Sequence, residues 1–251
     1  MSAEKGDIAA TIEARLTAMA DEKERRHLMR FFKTGPGEYG EGDSFLGVRV
    51  PATRAMIKEY RKTVTEDDCE LLIGSEFHEV RLAGFLLLIE VFNRARKQND
   101  ETRQREIISL YLSLIHRGNN WDLVDMVAPK LLGVWLSDHP EEREILYDLA
   151  DMEGSLWHQR VSMVTNWMLI RNGDYDDTLR LARKLLHHPH DLIHKATGWM
   201  LREVGKRGGM DRMLAFLDLY APEMPRTMLR YAIEQLPESD RRHYLAMPRK
   251  S

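Results

Sequence analysis

Trp121 and Asp125 stand four residues apart in the run Gly118-Asn119-Asn120-Trp121-Asp122-Leu123-Val124-Asp125. On a helix that spacing places an indole and a carboxylate on one face, a turn apart. Gly118 ends what precedes it, and Asn119 or Asn120 can cap a new helix by accepting a hydrogen bond from an orphan N–H. A large aromatic side chain beside a carboxylate suits a site better than plain surface. Counting 35 residues on from Asp125 gives Arg160, then Lys195, then Arg230, and Arg81 has the same local form 44 residues upstream. Trp157 and Trp199 flank Arg160 and Lys195, and Lys195, Trp199, Arg202 and Lys206 keep one broad helical face. Cations alternating with aromatics suit a polyanion with stackable parts, which is a description of nucleic acid.

A fixed period of this size is the signature of stacked helical repeats, whose inner helices line a concave surface. The rest of the chain agrees. Apolar residues recur at helical spacing over 8–19 and 22–32, and helices are predicted at about 51–63, 65–74, 77–93 and 102–117. Further helices are predicted at 140–151, 155–170, 174–186 and 191–206, followed by two or three short ones. Thr34-Gly35-Pro36-Gly37 and Lys206-Arg207-Gly208-Gly209 are stops, and Pro51 can begin a helix. No period-2 run predicts a strand. The expected fold is an all-α, HEAT-like α-solenoid of six or seven helical hairpins, with a concave groove suited to nucleic acid. It forms one domain over 1–251, with a distinct amino-terminal cap before about residue 25.

Several features narrow the class. The 251 residues suffice for a sizeable core, and 43% hydrophobic with 31% charged residues is ordinary for a globular protein. No apolar run approaches the ~20 residues of a spanning helix, and the start has no apolar signal core. A single cysteine, Cys69, fits a reducing compartment, and its acidic neighbours make it a poor nucleophile. A cytoplasmic protein is expected, nucleoid-associated in a prokaryote. The net charge of −3 gives no global pull on nucleic acid, so placement of the 37 Lys and Arg residues matters. A structural reading stands beside the functional one. Helical repeats often carry an Arg that holds one helix pair to the next, which fits Arg81 and Arg230. Trp135, Trp157 and Trp167 fit a core, and Asp125 could simply pair with Arg160. His187, His188, His190 and His194 have an intervening proline and no cysteine, so they make a weak metal set.

Four segments together resemble a known family: Leu46-Gly47-Val48-Arg49-Val50-Pro51, Asn120 to Asp125, Trp157-His158-Gln159-Arg160-Val161, and Ile193 to Glu203. In this order they are similar to the AlkD-like DNA alkylation repair glycosylases, over about residues 25–245. The resemblance implies HEAT-like repeats holding duplex DNA, and hydrolysis of the N-glycosidic bond of 3-alkyl- and 7-alkylpurines. It implies that the damaged nucleotide is not drawn into a pocket, unlike base flipping. It places the catalytic aspartate at Asp125, the tryptophans against the lesion's sugar at Trp121 and Trp199, and the active-site arginine at Arg160. Backbone-gripping cations fall on Arg202 and Lys206, beside Arg81, Lys195 and Arg230 from the repeat. An alkylated purine is already cationic and leaves well, so a carboxylate need only stabilise the sugar cation and orient water. No metal or cofactor is then required, and a monomeric, monofunctional enzyme is expected. The alternative is a non-catalytic repeat protein that binds damaged or branched DNA.

Overall fold

A computed structural model describes residues 6–249. Residues 1–5 of the expected amino-terminal cap lie outside the described residues. The fold is all-α, built of packed helical pairs, with a lone bridge between Ser44 and Phe77. It divides between Val127 and Ala128 into two compact units.

The first unit contains α1 (Asp7–Ala18), α2 (Glu22–Phe31), α3 (Val50–Ile57), α4 (Glu66–Ile73), α5 (His78–Lys97), α6 (Glu101–Leu114) and α7 (Trp121–Val127). Helix α5 is the hub. Fifteen of its 20 residues are buried, and α1, α3, α4, α6 and α7 pack on it. A helix buried on every side needs apolar residues all round, which Leu82, Phe85, Leu87, Leu88 and Phe92 provide. Helix α1 packs on α4 and α5, with Ile12 and Leu16 fully buried. Helix α4 opens with a capping box between Thr65 and Asp68. Buried Cys69 sits on the same helix, and burial, then Asp68 and Glu66, push its thiol pKa up, so it is inert. By contrast α2 buries none of its residues.

Between α2 and α3 runs the glycine-rich loop, and its closing turn is held from α5. The buried Glu79 carboxylate accepts the N–H groups of Leu46 (2.9 Å), Gly47 (2.8 Å) and Val48 (3.0 Å). Gly47 is required there twice over. Its φ is 90°, and a Cβ would stand 2.1 Å from the Asp21 carbonyl oxygen and 2.7 Å from the Arg25 nitrogen. Gly47→Ala should therefore cost more than about 2 kcal/mol through backbone strain and displacement of α2. Chemical denaturation checks this, and an unchanged midpoint would refute it.

The second unit contains α8 (Leu132–Asp138), α9 (Glu144–Ala150), α10 (Leu156–Arg171), α11 (Asp176–Lys184), α12 (Asp191–Val204), α13 (Met210–Tyr220), α14 (Arg226–Ala232) and α15 (Glu238–Ala246). Helix α10 packs on α8, α9, α11 and α12, and α12 packs closely on α14. That last approach needs Gly198, where a Cβ would meet the Met228 carbonyl oxygen at 2.4 Å. The predicted stop after α12 is a widened turn at Gly205–Gly209, with Gly208 at φ 97°. No described helix is long and apolar enough to cross a membrane.

Candidate active site

In the first unit, α7 carries the predicted pair. Asn120 sits fully buried at its start. Its Oδ1 accepts the Trp121 N–H (2.9 Å), and its Nδ2 donates to the Phe32 carbonyl (3.3 Å). One side chain therefore starts α7 and ties it to the end of α2. Trp121 and Asp125 are both half-buried, and both line a cleft of about 440 Å³.

The cleft is walled by aromatics. Phe32 lies 5.4 Å from Trp121 between ring centroids, and Phe31 lies 5.9 Å away, edge-on. Phe45 stacks on Phe32 (5.3 Å, 14°) and on the His78 imidazole (4.3 Å, 17°). Phe32 and Phe45 are buried, whereas Phe31 is 55% exposed at the rim.

Behind these rings lies a buried charged network. His78, 2% exposed, joins Asp43 through Nδ1 (2.8 Å) and Asp122 through Nε2 (3.0 Å). Arg81 donates to the other Asp43 oxygen and to the side-chain Oδ1 of Asn119 (2.9 Å). Burial by itself lowers the pKa of His78, but Asp122 and Asp43 outweigh it and lift the value to about 9. Burial likewise raises Asp43, yet His78 and Arg81 hold it below the usual carboxylate range. A doubly hydrogen-bonded imidazolium thus pins the loop, α5 and α7 together, and with α7 the pair Trp121 and Asp125.

A pH dependence follows. The folded pKa of His78 is raised from 6.5 to about 9, so its stabilising contribution is full below pH 6.5 and lost as pH rises through about 9. The contribution is on the order of 3 kcal/mol. The unfolding free energy of the wild type should fall across that window, and that of His78→Gln should fall less. Parallel profiles would contradict the assignment.

Arg81 is a correction. It was expected to touch DNA, but it is 3% exposed and also donates to the Ser75 (3.1 Å) and Glu76 (2.8 Å) carbonyls. Its charge is spent inside the protein, as a structural arginine in a repeat would be.

The second unit places the other predicted residues. Arg160, on α10, is 5% exposed and donates to the Leu192 carbonyl at the start of α12 (2.6 Å). Trp199, on α12, is half-buried next to the close-packed Gly198. Lys195 pairs with Asp191 (2.8 Å), and Arg202 pairs with Glu234 and reaches Glu203 (4.0 Å). Lys206 and Arg230 are exposed, and among the described residues they have no ion-pair partner. Trp135 is core, 1% exposed, with its N–H donated to Glu142 (2.8 Å). Trp167 lies under Arg171 and Arg207, whose guanidinium carbons are 4.9 and 5.9 Å from its ring. His188 spends both ring nitrogens inside the protein, on Gln159 and on the His190 N–H.

Comparison with known proteins narrows what this site serves. A model of the DNA alkylation repair enzyme family matches residues 12–236. The chain belongs to that family. No curated protein matches the sequence. Among solved structures, a predicted DNA alkylation repair enzyme from Enterococcus faecalis is similar in fold, with a TM-score of 0.65 and 17% identity. The match covers 87% of this chain and 97% of that one. Family membership gives the chain a role in repair of DNA alkylation damage, with DNA as the substrate. The aromatic cleft with Asp125 at its edge is thus a feature of a DNA repair protein. Phe31, Phe32, Phe45, Asp43, His78 and Asp122 belong to it and were missed in the sequence. The one sequence signal was the long glycine-rich stretch itself, which reads as an irregular segment between two helices.

Proposed function

We propose that the protein is a monofunctional DNA glycosylase that releases alkylated purines, of the 3-methyladenine and 7-methylguanine type, from duplex DNA. The observation that supports this reading best is the pairing of Trp121 and Asp125 at one cleft, on a helix anchored by Asn120 and by the His78–Asp122 hydrogen bond. A carboxylate at the edge of an apolar, aromatic wall acts in a low local dielectric, where its field is strongest.

The chemistry needs little else. The N-glycosidic bond breaks, and its electron pair neutralises the positively charged purine. Positive charge moves to the deoxyribose, where the Asp125 carboxylate stabilises it. The Trp121 ring adds its electron-rich face and excludes bulk water. Water then adds at the anomeric carbon, and its proton passes to Asp125 or to solvent, leaving an abasic site. In the second unit, Trp199 and the exposed Lys206 and Arg230 are proposed DNA contacts. Lys195 and Arg202 would have to exchange their carboxylate partners for phosphates. Arg160 is proposed to support the reaction by orientation, since its guanidinium is buried.

A lyase would instead use a lysine amine that attacks the sugar and forms an imine. Borohydride added during turnover should therefore trap no protein–DNA adduct. A covalent adduct lost in Lys195→Ala would overturn the monofunctional assignment.

A further inference from the structure

We propose that Arg171 and Arg207, gathered on the ring of Trp167 in the second unit, form a seat for a backbone phosphate of duplex DNA. The inference takes DNA as the ligand from the family and rests on binding, not on base release. A repeat protein that only held DNA would therefore keep it.

Three observations carry the inference. The first is charge without a counter-charge. Arg171 ends α10, and Arg207 lies in the widened turn after α12. Both are exposed, and their guanidinium carbons are 4.9 and 5.9 Å from the centre of the half-buried Trp167 ring. Among the described residues the Arg171 guanidinium has no carboxylate partner and no hydrogen bond. Arg207 has one loose pair, with Glu203 at 3.7 Å, and Glu203 is shared with Arg202 (4.0 Å). Asp174, three residues on from Arg171, is taken up by Arg143. Two cations on one ring, with less than one counter-charge between them, repel each other, and an anion relieves that repulsion.

The second is construction. The turn at Gly205–Gly209 departs from α-helical geometry at Arg207 (φ −106°, ψ 25°) and Gly208 (φ 97°). Widened turns of this kind recur at functional sites. Tyr175 locks this one. Its hydroxyl donates to the Arg207 carbonyl, and a Cβ on Gly209 would stand 2.9 Å from its ring. The backbone is thereby fixed where Arg207 meets Trp167.

The third is register. Thirty-five residues separate Arg171 from Lys206 and Trp167 from Arg202, the same offset that links Arg160, Lys195 and Arg230. Arg171 lies eleven residues beyond Arg160, about 16 Å along α10. Arg171 and Lys206 thus form a second row of cations beside the row of Lys195 and Arg230. A small anion needs one point of contact, whereas rows of cations match the regularly spaced phosphates of a duplex.

The test is fluorescence anisotropy of the full chain on an undamaged, labelled duplex, from about 50 to about 200 mM salt. Arg171→Gln removes one phosphate contact. The log–log salt slope should fall by about 0.9, and the affinity at about 0.1 M salt by roughly eightfold. Arg207→Gln should act in the same direction, and Arg171→Lys, which keeps the charge, should keep the slope. Arg183→Gln is the control. Arg183 is also exposed and also lies over a ring, that of Tyr220 (5.9 Å). Its equivalents at the 35-residue offset are Asp148 and Asp218, so its loss should leave binding unchanged. An arginine that only packed on Trp167 would lower the urea midpoint and leave the salt slope alone. An unchanged slope in Arg171→Gln, or an equal fall in Arg183→Gln, would overturn the proposal. The two readings fail separately. A slope that depends on Arg171 in a chain that releases no base keeps the phosphate seat and sinks the glycosylase. Base release with a slope indifferent to Arg171 does the reverse.

Discussion

Asp125→Asn should lower base release from alkylated duplex DNA by roughly 10²–10³-fold, with duplex affinity unchanged or slightly raised. The substitution is nearly isosteric and keeps a polar group at the same edge of the cleft. What it removes is a full negative charge, in the place where the sugar becomes positive. The departing purine already carries its own positive charge, so no general acid compensates for the loss. Affinity should hold because a carboxylate repels phosphate. A non-catalytic DNA-binding protein would respond in the opposite way. It would lose nothing on Asp125→Asn and would gain affinity from the lost repulsion. Multiple-turnover release and duplex titration on the same preparations separate the two cases. A variant with wild-type turnover would remove Asp125 from the chemistry.

The second large effect is on the architecture of the cleft. Glu79→Gln should destabilise the protein by about 3 kcal/mol and reduce cleft function with it. The Glu79 carboxylate accepts three backbone N–H groups from Leu46, Gly47 and Val48, and it is 2% exposed. Glutamine keeps one oxygen and points an amide donor at N–H groups that also donate. At least one buried N–H then goes unmet, which costs roughly 1–3 kcal/mol on top of the lost charge-assisted bond. The loop carries Phe45 and Val48 into the cleft wall, so its loosening should be felt there as well. A urea midpoint equal to that of the wild type would show that the turn holds itself.

Much of this is legible in the amino-acid sequence. The period-3.6 pattern located the helices, and the stops at Thr34–Gly37 and Lys206–Gly209 fall where α2 and α12 end. Trp121 and Asp125 share a helix face at one cleft, as their spacing required. Boundaries moved by a few residues where capping decided them. Pro140 opens a short 3₁₀ turn and the helix proper begins at Glu144. What could not be read was long-range pairing. Asp43 meets His78 across 35 residues, and Asp122 meets it across 44, with no periodic signal to link them. Arg81 shows the limit of a repeat argument. A cation at a recurring position can face a groove or tie two helices, and only burial and partners distinguish these. The Phe31, Phe32 and Phe45 wall was hidden for a similar reason. Two of these rings end a helix and one sits in an irregular loop, so no period marks their common face.

The central claim is tested most directly by incubating the wild-type chain with duplex DNA carrying 7-methylguanine and 3-methyladenine and measuring the free base released. The account predicts release of both bases and accumulation of unnicked abasic sites. DNA that is bound in a salt-sensitive manner but retains every methylated base would contradict it.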